Sequence, residues 1–181
     1  MTILSGAQFN GRLATQGDLG ALRVVMEAAI AELQKPFLNP QQIASSRLIM
    51  GLDSQLIDDQ SYFVIEAGPD IAGCGGWSRR ATLYGGDHTP GRDAALLDPR
   101  SDPARIRAMY TNPIYARRGV GRTVITLCEA AARGEGYKMM ELIATTAGLP
   151  LYGACGYVVV EQLEDRRGGA PVPLVRMQKK F

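Results

Sequence analysis

Histidine is almost missing from this chain: His88 is the only one in 181 residues. Cysteine is also scarce. Cys74, Cys128 and Cys155 are widely spaced, and no Cys-x-x-Cys pair exists. A zinc site built on Cys and His spacing is therefore excluded, and no metal is expected. A single histidine, with no serine in a Gly-x-Ser-x-Gly context, argues against a Ser-His-Asp hydrolase. An odd number of scattered thiols fits a reduced, cytoplasmic setting better than a disulfide framework. Charge of one sign is in short supply as well. Twenty basic residues face 18 acidic ones, a net of +2, which is too mild to imply a nucleic-acid partner. No apolar run approaches the ~18–20 residues of a membrane span. The opening stretch MTILSGAQFNGRL lacks the basic flank and apolar core of a secretory leader. Neither membrane nor nucleic acid is expected as a partner.

Apolar residues make up 46% of the chain and charged residues 21%, ordinary values for a globular protein. The length suits one domain, expected over residues 9–181. Residues 9–16 read as a first strand ending at Gly17, with Asp18 as the N-cap of a helix. Leu19, Leu22, Met26, Ala29, Ile30 and Leu33 give that helix one apolar face, and Pro36 stops it. A second helix opens at Pro40 and runs to about Met50; Asp53 to Asp59 makes a further short turn of helix. Two strands follow, Ser61 to Glu66 and Ile71 to Ser78, joined by Gly68-Pro69-Asp70. Gly73, Gly75 and Gly76 are many for one strand and point to a bulge or a close approach. Residues 79–102 are irregular and read either as a surface loop or as a lid over substrate. Ala104 to Thr111 is a strand. The strongest helix then carries Val120, Val124, Leu127, Cys128 and Ala131 on one stripe and ends at Gly134 and Gly136. Lys138 to Thr145 is a strand, Pro150 to Cys155 a short helix, and Tyr157 to Leu163 and Pro173 to Met177 are strands. This order is that of a mixed α+β domain, not a regular βαβ alternation.

The chemistry concentrates in Tyr115-Ala116-Arg117-Arg118-Gly119-Val120-Gly121-Arg122-Thr123. Gly119 and Gly121 place no side chain between backbone and ligand. The first amides of the following helix lack helical acceptors and sit at the positive end of its dipole. Arg117, Arg118 and Arg122 add positive charge, so a phosphate or pyrophosphate is the natural occupant. A Walker A loop would need Gly-Lys-Ser/Thr, which is missing. A dinucleotide fingerprint would need a third glycine where Val124 stands.

On these residues the sequence resembles the GCN5-related N-acetyltransferase (GNAT) superfamily. Ala116-Arg117-Arg118-Gly119-Val120-Gly121 lies where the family carries Gln/Arg-x-x-Gly-x-Gly/Ala. Ala116 departs from the first position, which removes any phosphate contact from that side chain. Leu149-Pro150-Leu151-Tyr152-Gly153-Ala154-Cys155-Gly156-Tyr157 is similar to the family's late helix, with a Tyr four residues before a Gly-aromatic pair. The resemblance implies a central, mixed and mostly antiparallel sheet flanked by helices, with its middle strands splayed apart. It implies acetyl-CoA as cosubstrate, with the pyrophosphate on the amides of residues 117–122, Val120 included. The pantetheine would run beside the backbone of Met109, Tyr110 and Thr111. The acceptor would be a small-molecule or protein amine, and a homodimer, common in the family, is compatible with it.

The implied reaction is direct attack of an unprotonated amine on the thioester. Tyr152 is the candidate proton donor to the departing thiolate, with a core tyrosine as the competing reading. The base is not identifiable, because Ala104 to Thr111 contains no carboxylate, and Glu66 and Glu32 read better as solvated charges. Cys155 has no histidine beside it and reads as a small packed residue. His88 and Tyr84 lie in the irregular loop, where substrate contact competes with simple exposure. Trp77, Tyr62 and Phe63 read as core. A non-catalytic acyl-CoA-binding module on the same fold is the alternative to an enzyme.

Overall fold

The structure, a computed structural model, describes residues 9–181. Strands β1 (Asn10–Leu13), β2 (Tyr62–Ala67), β3 (Asp70–Ser78), β4 (Ala104–Thr111), β5 (Met139–Thr145), β6 (Val158–Asp165) and β7 (Val172–Lys180) form one sheet in the order β1-β2-β3-β4-β5-β7-β6. Every neighbouring pair is antiparallel except β4 with β5. Helices α1 (Leu19–Leu33), α2 (Pro40–Ile49) and α3 (Ser54–Asp58) precede the β2–β3 hairpin; α4 (Val120–Gly134) and α5 (Leu149–Ala154) follow β4 and β5. The expected mixed α+β sheet with splayed central strands is what forms. No described helix is long and apolar enough to cross a membrane.

Two apolar layers hold the helices to the sheet. On one face, Val120, Val124, Ile125, Cys128 and Ala132 of α4 bury against Trp77, Ile106, Met140 and Leu142. On the other, Leu22, Val25, Ala29 and Ile30 of α1 meet Tyr62, Val64, Cys74 and Tyr110. Leu38 and Ile49 close over Val172 and Leu174 of β7. Each of these side chains leaves water almost completely, and burial of one such side chain contributes roughly 1.5–3 kcal/mol.

The start of the chain differs from the sequence expectation. The first strand stops at Leu13, because Thr15 and Asp18 close a capping box around a short 3-10 turn over Gln16–Asp18. Asp18 does not cap α1 with its side chain. Its carboxylate accepts from the Thr15 amide at 2.7 Å and pairs with Arg12 at 2.8 Å. Pro40 opens α2 as expected, and the Asn39 side chain accepts from the Gln42 amide at 2.8 Å.

The glycines of β3 serve close packing. A Cβ on Gly73 would meet Val120 Cγ1 at 2.5 Å, and one on Gly75 would meet Met109 Cγ at 2.6 Å and Val124 Cγ1 at 2.7 Å. Helix α4 thus lies directly on the strand. Opposite Gly75, β4 bulges: Cys74 pairs with Tyr110 but Gly76 pairs with Arg107. Two residues of β4, Ala108 and Met109, therefore stand against one of β3, and Ala108 takes a φ of 49°.

Candidate active site

Strands β4 and β5 pair only at their starts, Ala104 with Met140 and Arg105 with Glu141. Beyond that point β5 stays paired with β7 as far as Thr145, and β4 stays paired with β3 as far as Thr111. The two middle strands therefore diverge, and the edge of β4 facing β5 loses its strand partner. A cavity of about 90 Å³ fills the gap. Met109, Tyr110 and Tyr152 line it, as do Ile49, Met50 and Gly51 at the end of α2, the loop residues Leu83, Tyr84 and Gly85, and Leu174.

Tyr152 reaches the gap from α5. Its ring sits against Gly148, where a Cβ would come within 2.8 Å of Cε2, and edge-on to Tyr157 at 6.1 Å. The hydroxyl lies 3.6 Å from Met109 Sδ, a weak acceptor. Burial pushes the phenol well above its ordinary value of 10.0, so it holds its proton at neutral pH.

The Gly-rich turn lies at the start of α4. Arg117 and Gly119 both have positive φ, 59° and 89°. The first intrahelical bond runs from Thr123 N–H to the Gly119 carbonyl at 3.0 Å, so the amides of Val120, Gly121 and Arg122 have no helical acceptor. Arg117, Arg118, Gly119 and Arg122 are exposed. Arg118 stacks on the Tyr115 ring at 5.3 Å, and the Tyr115 hydroxyl donates to Asp70 at 2.8 Å. A Cβ on Gly119 would meet nothing, so the space above it is open. Gly121 is different: its Cβ position lies 2.5 Å from Leu151 Cδ2. Its smallness lets α5 pack on α4, a correction to the reading that it clears room for a ligand.

Among the described residues no carboxylate lines the gap, and Arg107 is the one charged side chain on its wall. Arg107 is buried and donates to Asp53 Oδ2 at 3.0 Å and to the Gly85 carbonyl at 2.6 Å. Desolvation lowers its pKa, although Asp53 opposes that. The Tyr84 hydroxyl donates to Asp165 at 2.9 Å. His88 lies on the outside of the loop, 2.7 Å from the Arg47 carbonyl. Glu66 is held by Arg12 at 2.7 Å, and Glu32 by Lys35 at 2.8 Å; neither lines the gap. Cys155 is half-buried beside the apolar core. Trp77 is core, edge-on to Tyr137 at 5.9 Å. Among the described residues, no group of three or more His, Cys, Asp or Glu could hold a metal ion.

The 79–102 segment forms part of the wall of the gap and is tied down at several points. Arg107 binds the carbonyls of Thr82 and Gly85, Thr89 Oγ donates to the Leu48 carbonyl at 2.7 Å, and Arg167 donates to the Pro90 carbonyl at 2.9 Å. Met109, Tyr110 and Tyr152 thus share one cavity, whereas Thr111, paired with Gly73, is not among its walls. Arg117 to Arg122 form a separate group at the end of α4. Sequence reasoning passed over Asp53 and Arg107. The available signal was an arginine inside an otherwise mostly apolar inner strand, which needs a buried partner.

A sheet with its middle strands parted, beside a helix whose bare N-terminal amides follow an Arg-Arg-Gly turn, defines the acyl-CoA N-acyltransferase class. Residues 26–157 match the model of the acetyltransferase (GNAT) family, and the chain belongs to that family. No curated protein matches the sequence. Among solved structures, a GCN5-related N-acetyltransferase from Rhodopseudomonas palustris is similar over 100% of this chain and 99% of its own, at 16% identity and TM-score 0.70. The PaiA N-acetyltransferase of Thermoplasma acidophilum, solved in complex with coenzyme A, shares 14% identity over 96% of this chain and 99% of its own, with TM-score 0.66. A GNAT family acetyltransferase from Brucella melitensis, in complex with acetyl-CoA, shares 15% identity over 97% and 89%, with TM-score 0.57. At such identities the likeness establishes the fold.

Proposed function

We propose that this chain transfers the acetyl group of acetyl-CoA to a primary amine, of a small molecule or a protein, by direct attack. The observation that carries this reading is the gap itself. A stretch of β4 that is unpaired on its β5 side and a buried, protonated Tyr152 hydroxyl with only a thioether for company face one cavity. Two coenzyme-complexed neighbours of the same fold support the choice of cosubstrate. The open space at Gly119, the free amides of residues 120–122 and the exposed Arg117, Arg118 and Arg122 suit its pyrophosphate.

The amine lone pair attacks the thioester carbonyl carbon, and a C–N bond forms. Backbone N–H groups on the unpaired edge of β4 stabilise the oxyanion. The C–S bond then breaks, Tyr152 gives its proton to the thiolate, and the proton that the now cationic nitrogen releases passes through water to restore the Tyr152 hydroxyl. No carboxylate on the cavity wall takes the amine's proton, so the acceptor arrives neutral or loses its proton to water. The same lack of a carboxylate favours, as a second reading, a module that binds acyl-CoA without turning it over. Calorimetric titration with acetyl-CoA, followed by an amine-dependent assay of CoA release, separates the two. Binding with no release from any amine supports the second reading; no binding removes both.

A further inference from the structure

A second chamber, of about 150 Å³, lies beside the strand gap and shares only Arg107 with it. Its walls include Arg80, Arg92 and Arg107 and a single carboxylate, Asp53. The polar side chains at its heart are buried: Arg107 is 3% exposed, Asp53 6% and Ser78 1%. Arg80 is already neutralised, because Asp59 takes its Nε at 2.7 Å and its second guanidinium nitrogen at 2.8 Å. The other two guanidiniums share one carboxylate. Arg107 holds Asp53 Oδ2 and Arg92 holds Asp53 Oδ1, each at 3.0 Å. The next acidic group, Asp87, stands 3.8 Å from Arg92, beyond hydrogen-bond reach, and is half-exposed.

The charge of Arg92 is therefore balanced only by a carboxylate it shares with Arg107 and by the half-exposed Asp87, which is not part of the chamber wall and does not hydrogen-bond to it, so the wall itself carries more positive than negative charge. Donors remain for an anion. A guanidinium has five N–H groups, and Asp53 is the only carboxylate within hydrogen-bond distance of Arg92 among the described residues. Ser78 Oγ accepts from the Arg80 amide at 3.0 Å, which leaves its own proton to give. Arg92 is 28% exposed at the side chain and marks the way in from solvent. We propose that this chamber is an anion site that takes a small oxyanion, a carboxylate or phosphate group, on Arg92, Arg107 and Ser78. The site does not depend on acetyl transfer. It is separate from the Gly119 turn, and its only link to the gap is the Arg107 side chain.

The test must silence the other anion site first. The full chain carrying Arg117→Ala, Arg118→Ala and Arg122→Ala is titrated calorimetrically with inorganic phosphate and, separately, with succinate. One equivalent of either anion is expected to bind saturably, with affinity falling about tenfold or more when Arg92→Ala is added, the loss of at least one charged hydrogen bond. No saturable binding of either anion, or an affinity that Arg92→Ala leaves unchanged, overturns the proposal. A second measurement needs no variant: the Arg107 Nε–H resonance of the parent chain should shift on saturation with phosphate or succinate, and a resonance that stays in place refutes the site. ω-Amino carboxylates locate the source of the anion. Tighter binding than by carboxylates of equal length assigns it to the acceptor amine itself, and equal binding assigns it to a free anion.

Discussion

Removing one oxygen atom, by Tyr152→Phe, separates the catalytic reading of this residue from the packing one. The ring stays: its edge-on contact with Tyr157 at 6.1 Å and its seat against Gly148 involve carbon atoms only. The hydroxyl's one partner is Met109 Sδ at 3.6 Å, so its removal strands no strong acceptor. A hydrogen bond of ordinary kind contributes ~0.5–1.5 kcal/mol, and one to a thioether lies at the bottom of that range. The variant should therefore melt within about 2–4 °C of the parent. If Tyr152 protonates the thiolate, turnover at saturating acetyl-CoA should fall by ~10²–10⁴, the usual worth of a general acid. Acetyl-CoA affinity by calorimetry should be nearly unchanged. The parent should also show no alkaline loss of activity from this group below about pH 10, because burial raises the phenol above its ordinary value. A stably folded Tyr152→Phe protein with full turnover would refute the acid role and leave Tyr152 as a core residue.

Four further outcomes follow from the same geometry. Gly119→Ala should weaken acetyl-CoA binding measurably, since φ is 89° and the new Cβ meets only the space a ligand would use; unchanged affinity would place the pyrophosphate elsewhere. Gly75→Ala should destabilise the fold by ~1–3 kcal/mol in a denaturant titration, because its Cβ would press on Met109 and Val124 beneath α4. One thiol, Cys155, should react with a disulfide reagent in the native chain and three after unfolding. Burial encloses the other two completely and pushes the Cys74 thiol up to about 12. Asp59, held below its ordinary 3.8 by the Arg80 hydrogen bonds, stabilises the fold above that value and loses the contribution as pH falls below it. Asp59→Asn should flatten that acid limb in a pH series of melting temperatures.

What the sequence disclosed was what short stretches of chain determine. The α4 stripe and its glycine turn are local: the spacing of Val120, Val124 and Cys128 defines a face, and Gly119 falls where a left-handed residue is needed. The fold class followed from that order of elements together with Tyr152 in its short motif. The first turn was misread because two caps competed. Thr15 took the N-cap role and Asp18 turned back to Arg12, six residues earlier on β1, which Glu66 of β2 also holds. The role of Gly121 was hidden for a similar reason, since Leu151 fills its space from thirty residues away. Asp53 and Arg107 show the limit most clearly. They are 54 residues apart, and although the strand marks Arg107 as needing a buried partner, nothing in the sequence names Asp53 as that partner. Their meeting is set by the bulge at Ala108 and by a loop that lays Thr82 and Gly85 over the guanidinium. The same arginine lines both chambers. Its guanidinium is the one side chain that the two chambers share.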